Sequence, residues 1–260
     1  MATKKGLCVH MDKPGGINLY EFERLISFAQ KNRSVLHIGY MYRYNESISE
    51  AIKTAKSGAL GEVYRVEAHM DCWHNTEKRN WLSRFPGDMM FYLGCHLIDI
   101  ILQIMGEPQE IIPMNMSTKI DGVLGKDYDF AVFKYKNGIS FAKTSAKELG
   151  GFERRQIVIY GSKATVELRP LEEYDNNKKV YTGIRFTDDE NGRDWNYSAP
   201  VIKSTAADRY DKMMESFAKM VCGELENPYT YYYELKLYKT LLRSCGAYKG
   251  GNINESDTCK

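Results

Sequence analysis

The sequence predicts a small α/β unit followed by a larger α+β unit, and two patterns carry this prediction. An apolar strand at 7–11, an amphipathic helix at 18–32 and a second apolar strand at 34–42 fit within about 35 residues, the size of a βαβ unit. Such a unit implies a parallel sheet with a right-handed crossover. Beyond residue 109, short strands follow one another with turn residues between them, which is typical of a mainly antiparallel sheet.

The remaining elements follow from periodicity, turn residues and helix stops. Asn137-Gly138 and Asn191-Gly192 mark turns, and Gly106 with Pro108 ends the most apolar helix. We predict helices at 46–56, 88–105, 207–224 and 231–246, and strands at 63–72, 109–118, 129–136, 139–146, 154–160, 164–168 and 180–187. The predicted units are 1–60 and 61–250, with an unstructured tail at 251–260.

Composition narrows the classes of partner. The chain has 260 residues, 43% of them hydrophobic, and a formal charge of +2 from 36 basic and 34 acidic residues, so net charge does not predict binding to nucleic acid or membrane. The six cysteines show no CxxC pair or zinc-like spacing, which favours reduced thiols in a cytoplasmic protein. No run approaches the roughly 18 apolar residues of a membrane span. A small-molecule ligand is therefore expected.

One helix carries three polar side chains on a single stripe. Tyr92, His96 and Asp99 stand at i, i+4 and i+7 within GDMMFYLGCHLIDIILQIMG. A phenol, an imidazole and a carboxylate on one face of an apolar helix can form a site, but such groups are also common as hydrogen-bonded core residues. Spacing alone leaves both interpretations open.

A lysine follows the first strand in CVHMDKPGG. Most lysines are solvated surface charges, but ligands of open parallel sheets bind beyond the carboxyl ends of strands, where Lys13 stands. Pro14 fixes the turn behind it, and Gly15-Gly16 allows close approach to the backbone. The position therefore favours a functional lysine.

Five motifs, in order, resemble the Gfo/Idh/MocA oxidoreductases, the family of glucose-fructose oxidoreductase and inositol dehydrogenase. The resemblance extends over residues 6–246 and rests on HMDKP, similar to the family's Glu-Lys-Pro, HIGYMYRYN with its pair Arg43-Tyr44, GALGEVYRVEAH, GDMMFYLGCHLID and IVIYGSKATVEL. It implies a remnant of a Rossmann parallel sheet followed by a large, mainly antiparallel open sheet covered by helices.

The resemblance also implies chemistry. It predicts NAD- or NADP-dependent oxidation of a sugar, cyclitol or related polyol, with Lys13 beside the nicotinamide and on the substrate hydroxyl, and His96 as acid/base. An imidazole has a suitable intrinsic pKa of about 6.5. The further candidates are Asp12, Pro14 and Arg43 for the cofactor, together with Lys13, and His74, Trp81 and Asp99 for the substrate.

Two departures from the family pattern change the expectation. Tyr92 stands where the family has an aspartate, so it is either a base activated by Lys13 or a wall of the sugar pocket. No G-x-G-x-x-G occurs in the sequence. We therefore expect the N-terminal half of the Rossmann domain to be missing, through a truncated sequence or a short form of the protein, with impaired cofactor binding.

Alternatives stay open at this point. Relatives that use nicotinamide transiently to cleave glycosides make a glycosidase a sub-case. A non-catalytic sensor or partner-binding protein derived from the fold is the alternative from another class. The resemblance further predicts a homo-oligomer formed through the open sheet face, and a cleft on which Lys13, Tyr92 and His96 converge, with Arg43, His74 and Trp81 as wall residues.

Overall fold

The computed structural model describes residues 2–248, and its chain begins with a β-α-β unit. Strand β1 (Val9–Met11) pairs in parallel with β2 (Leu36–Ile38), and α1 (Leu19–Lys31) connects them. The side chain of Asn18 accepts a hydrogen bond from the Glu21 N–H and so caps α1. The predicted parallel pair is confirmed.

The other α-helices and β-strands follow along the rest of the described chain. Their bounds are α2 Glu46–Lys56, β3 Val63–Asp71, α3 Thr76–Leu82, α4 Cys95–Met105, β4 Glu110–Pro113, β5 Tyr128–Tyr135, β6 Gly138–Ser145, β7 Gln156–Gly161, β8 Ala164–Leu168, β9 Glu173–Tyr174, β10 Val180–Tyr181, β11 Gly183–Asp188, β12 Ile202–Lys203, α5 Asp211–Val221 and α6 Tyr231–Ser244. Strands β9 and β10 form a separate two-stranded ribbon.

Eight strands form the large sheet, in the order β12-β11-β8-β7-β3-β6-β5-β4. Only β3 and β6 pair in parallel, and the other neighbours are antiparallel. Along β3, Val66, Ala68 and Met70 are fully buried toward the helices, whereas alternate residues are less buried, as a one-sided sheet requires. The mainly antiparallel open sheet covered by helices, predicted from the sequence, is confirmed.

One core joins the two sheets. Leu36 of β2, Ile98 of α4, Val66 of β3 and Leu241 of α6 belong to the same cluster of buried side chains. Helix α4 is buried on nearly every side from Cys95 to Leu102, which explains its apolar sequence. Polar residues on α4 therefore lie inside the protein, within the core that the two sheets share.

Several predicted elements differ from the structure. The strand predicted at 34–42 is wrong beyond Ile38, because the chain turns there into a 3₁₀ helix at Met41–Tyr44. The helix predicted at 88–105 begins with a π-helical turn, Met90–Gly94, before α4. Helix α3 was not predicted. The predicted tail at 251–260 lies outside the described residues. Among the described residues, no helix is long and apolar enough to cross a membrane.

Candidate functional site

Lys13 lies in a tight turn directly after β1. The Lys13–Pro14 peptide bond is cis, and Pro14 and Gly15 are buried. Gly15 has φ +109°, and a side chain there would collide with the Phe22 ring of α1. Because the turn is packed so closely on α1, it holds the half-buried Lys13 in a defined position.

The side chain of Lys13 contacts Tyr92, which lies in the turn before α4. Its Nζ donates a hydrogen bond to the backbone carbonyl of Tyr92 and lies 4.4 Å from the centroid of the Tyr92 ring. That carbonyl belongs to the π-helical turn that leads into α4. An ammonium has three N–H donors, so Lys13 keeps two for other partners.

Tyr92 is half-buried and protonated at neutral pH. Burial is the main cause that raises the pKa of its phenol above the ordinary value, and the nearby Cys72 and Asp12 act in the same direction. The edge of Trp81 meets its ring at 5.9 Å between centroids. Despite the adjacent Lys13, this environment favours a pocket wall or a hydrogen-bond donor over a base.

His96 is buried, with 4% of its surface exposed, and faces two perpendicular rings, Tyr40 at 5.7 Å and Tyr42 at 4.9 Å. Its Nδ1 has no hydrogen-bond partner within residues 2–248. Burial first, and then the charge of Lys13, hold its pKa well below the ordinary value; weaker effects in the same direction come from Arg209, Arg155 and Arg43. The imidazole is therefore neutral at physiological pH and able to accept a proton.

Arg43 and Asp99 lie together in a buried network. The guanidinium of Arg43 forms ion pairs with Asp99 at 2.9 Å and with Glu234 of α6 at 2.6 Å. The Tyr233 hydroxyl and the Gln103 amide donate to the Asp99 carboxylate as well. Because protein groups satisfy both partners, the geometry favours structural roles for Arg43 and Asp99 over direct contact with a ligand.

The other predicted residues lie at the edge of the Lys13–Tyr92 contact. Asp12 is exposed, and its carboxylate accepts the backbone N–H of Lys13 at 2.9 Å. Trp81 is 37% exposed beside Tyr92. His74 is half-buried, its Nε2 has no partner among the described residues, and burial, Lys78 and Arg155 lower its pKa.

Sequence analysis missed Lys78 of α3. Its Nζ lies 3.5 Å from the Trp81 ring centroid and 4.8 Å from that of Tyr92. Burial and then the charge of Lys13 lower its pKa. The only sequence signal was the i, i+3 spacing of Lys78 and Trp81 on a helix that lacks an apolar stripe.

A second group of polar residues holds Tyr42, whose ring packs against His96, and the sequence did not predict it. The Tyr42 hydroxyl donates to Glu172 at 2.6 Å, and Arg209 binds the same carboxylate through two nitrogens at 2.6 and 2.9 Å. A cavity of about 40 Å³ beside Tyr42 touches Glu172 and Arg209. That volume suits water rather than a sugar, so we prefer the contact between Lys13 and Tyr92 to this cavity as the candidate site.

Comparison with known proteins relates part of the chain to one family of oxidoreductases. Residues 48–167 match the family model described as GFO/IDH/MocA C-terminal domain. Over 165 residues, 61% of this chain, the sequence is 25% identical to myo-inositol 2-dehydrogenase of Thermotoga maritima. The chain is thus similar, over just under half of its length, to the C-terminal domain of the Gfo/Idh/MocA oxidoreductases. It spans about half, 48%, of the Thermotoga enzyme.

Solved structures share the fold at low sequence identity. A protein described as an NADPH-dependent oxidoreductase from Desulfitobacterium hafniense superimposes with a TM-score of 0.74 at 13% identity, covering 94% of this chain and 72% of that one. UDP-N-acetylglucosamine 3-dehydrogenase from Acidithiobacillus ferrooxidans gives 0.72 at 16% identity, covering 95% and 71%. These likenesses confirm the predicted fold.

Proposed function

We propose that this protein is an oxidoreductase that oxidises an alcohol carbon of a sugar, cyclitol or related polyol with NAD or NADP. The observation that carries the proposal is the Lys13 ammonium on Tyr92, close enough for its charge to lower the pKa of the buried His96. The match of residues 48–167 to the GFO/IDH/MocA C-terminal domain, a relative named inositol dehydrogenase and a structural neighbour named UDP-sugar dehydrogenase support the same substrate class.

Oxidation of an alcohol removes a hydride from carbon and a proton from oxygen. When bound, the nicotinamide would supply the hydride acceptor. Lys13 has two N–H donors left for the substrate hydroxyl, and its charge stabilises the alkoxide character that develops as the proton leaves. Lys13 therefore binds and polarises the reacting hydroxyl.

His96 is the proton acceptor in this proposal. Its imidazole is neutral, because burial and Lys13 disfavour the charged form, and Nδ1 has no partner among the described residues. Tyr92 keeps its own proton, so it does not compete as a base. The rings of Tyr92 and Trp81 instead offer apolar faces on which the C–H groups of a sugar ring can pack.

The turn after β1 fits the nicotinamide end of a cofactor. Asp12, Lys13 and Pro14 would border it. Gly16, with φ +108°, has open space where a side chain would begin, with no atom within 4 Å, so its backbone is accessible to a ligand. The sequence contains no G-x-G-x-x-G for the pyrophosphate. We accordingly propose weak binding of the whole dinucleotide by this 260-residue chain.

The test combines cofactor binding with turnover. Calorimetry with NAD and NADP is expected to give dissociation constants in the millimolar range, and a fusion to a family member's glycine-rich segment is expected to lower them. With millimolar cofactor and a panel of polyols, we expect reduced nicotinamide to form. Lys13→Met should lower kcat by about 100-fold or more, whereas the matched control Lys53→Met on the exposed side of α2 should not.

Absence of turnover with cofactor demonstrably bound would refute the oxidoreductase proposal. The replacement of the family's carboxylate by the protonated Tyr92 favours one second candidate, a sensor that binds a polyol without oxidising it. A polyol-dependent rise in Tm without nicotinamide reduction would support that alternative. Tight dinucleotide binding by the chain alone would contradict the proposed weak affinity.

A further inference from the structure

Two lysines face the same aromatic ring in the candidate site. The ammonium of Lys13 lies 4.4 Å and that of Lys78 4.8 Å from the Tyr92 ring centroid. The two distances to one point limit the separation of the nitrogens to about 9 Å. Lys13 comes from the turn after β1 and Lys78 from α3, so the two charges are brought together by the fold.

Neither lysine has a carboxylate partner within residues 2–248. Lys13 donates to a backbone carbonyl, and Lys78 contacts only the rings of Trp81 and Tyr92. Several other half-buried lysines pair with carboxylates: Lys143, for example, binds both Asp71 and Glu148. Cation–π contacts offset only part of the cost of two neighbouring, partly desolvated ammonium groups.

The surrounding wall adds to the positive charge. Arg155 and Arg209 share one carboxylate, Glu172, at 3.5 and 2.6 Å. Both arginines, with Lys13, lower the pKa of His96, so their charges act on the site. Asp12 is the nearby acid, and it is exposed and occupied by the Lys13 backbone N–H. Cations therefore outnumber carboxylates here, in a chain whose formal charge is only +2.

We propose that the substrate carries an anionic group, a carboxylate or a phosphate, next to its reacting alcohol, and that Lys78 binds this group. Lys13 then binds the reacting hydroxyl, and both ammonium groups contact the ring of Tyr92. An oxyanion on Lys78 gives that ammonium the counter-charge that the protein does not provide. This inference deepens the proposed function and rests on it for the role of Lys13.

The anionic group of the substrate can be a carboxylate or a phosphate, and different probe ligands distinguish the two. Binding of glucuronate, glucose 6-phosphate, glucose and inorganic phosphate is measured by calorimetry on the full chain at low salt. We expect glucuronate or glucose 6-phosphate to bind at least tenfold more tightly than glucose, and the stronger of the two identifies the anion. Added salt should weaken this preference, because charges at a partly exposed site are screened.

Variants assign the effect to Lys78. Lys78→Gln should remove the preference for the anionic sugar, Lys78→Arg should keep most of it, and Lys53→Gln, which removes one charge from an exposed part of α2, should leave it unchanged. The Tm of each variant shows that it is folded. If Lys78 only packed its ammonium on the partly exposed Trp81 ring, replacing it would alter Tm without altering the preference for the anionic sugar.

Three results would overturn the inference: equal affinity for glucose and its anionic derivatives, a preference that persists in Lys78→Gln, or inorganic phosphate binding as well as glucose 6-phosphate. The outcomes distinguish this inference from the proposed function. Turnover of neutral polyols without any preference for anions would refute the anionic subsite alone. Lys78-dependent binding without hydride transfer would support the subsite and refute the dehydrogenase.

Discussion

Arg43 and Asp99 form a doubly hydrogen-bonded ion pair inside the protein, although they stand 56 residues apart in the sequence. The side chains of both are at most 2% exposed. The same guanidinium also binds Glu234, and it lies 3.7 Å from the Tyr229 ring centroid. One cation thus pairs with two buried carboxylates that belong to different helices.

Loss of this guanidinium should destabilise the fold strongly. Arg43→Met leaves Asp99 and Glu234 buried without a counter-charge, and we expect a loss of about 3–5 kcal/mol in the free energy of unfolding. Urea denaturation measures it. Arg24→Met, which breaks an exposed pair with Glu21, should cost less than about 1 kcal/mol. Comparable losses in the two variants would contradict the structural importance of the buried pair.

The buried carboxyl of Asp129 should make the protein less stable as pH rises. Burial is the main cause that raises its pKa to about 8 from 3.8, and only the Met90 N–H and Lys126 oppose it. The folded state therefore holds the proton more tightly than the unfolded state. The stabilising contribution of protonated Asp129 is fully present below the pKa of the unfolded state. It is lost as pH rises toward the pKa of the folded state.

Asp129→Asn keeps an acceptor for the Met90 N–H and cannot ionise. We expect it to be more stable than the parent near pH 8, by about 1–3 kcal/mol, and similar near pH 4, in thermal unfolding followed across pH. Glu190→Gln, at an exposed position, serves as the control. A parent and an Asp129→Asn variant with parallel pH profiles would show that Asp129 does not titrate in this range.

His96 should show the opposite dependence on pH. Its folded pKa is depressed, so stability from this group is present above the unfolded pKa of about 6.5 and is lost as pH falls below it. For catalysis, the neutral imidazole should persist below pH 6.5, and kcat/KM should show no acidic fall near that value. His96→Gln should abolish proton transfer and flatten the stability profile below about pH 6.5 relative to the parent. Stability profiles of the parent and His96→Gln that run parallel below pH 6.5 would contradict the depressed pKa.

Local patterns in the sequence predicted the fold well where they were decisive. Helix α2 has the predicted bounds, because Asn45 caps its start through the Ile48 N–H and its apolar residues lie on one face. The strand beyond Ile38 could not be excluded in advance, because a short buried apolar run is compatible with a strand or a helical turn. Tyr40, Met41 and Tyr42 are buried as predicted for a strand, but the chain there is mostly 3₁₀ helix.

The candidate site was predictable in part for a related reason. Lys13, Tyr92 and His96 stand in motifs whose local sequence has a recognisable form. Glu172 and Glu234 do not, since their partners Tyr42 and Arg43 lie 130 and 191 residues away and only the folded chain brings them together. Lys78 had no signal beyond its spacing to Trp81, and its proximity to Lys13 depends on how α3 packs.

We expect the protein to form a homo-oligomer through the outer face of the large sheet. Phe130 and Phe141 stack there at 4.9 Å, and Ile139 is 51% exposed. Phe141→Glu and Ile139→Glu should shift the assembly toward monomer in analytical ultracentrifugation, because each introduces a charge into this apolar area. Tyr20→Glu on α1, 65% exposed, should leave the assembly unchanged. A parent chain that is monomeric at high concentration would contradict the expectation.

The short 3₁₀ turn after β2 has a mechanical consequence. Tyr42 donates a hydrogen bond to Glu172, and the next residue, Arg43, binds Asp99 of α4 and Glu234 of α6. Two adjacent residues thus connect three parts of the chain, namely α4, α6 and the segment that carries Glu172, so we expect the two sheets to move together without a hinge between them. A ligand would then enter and leave through movement of exposed side chains near the site, such as Tyr210, which is half exposed and contributes to raising the pKa of Tyr92, and the speed of exchange would depend on that local movement.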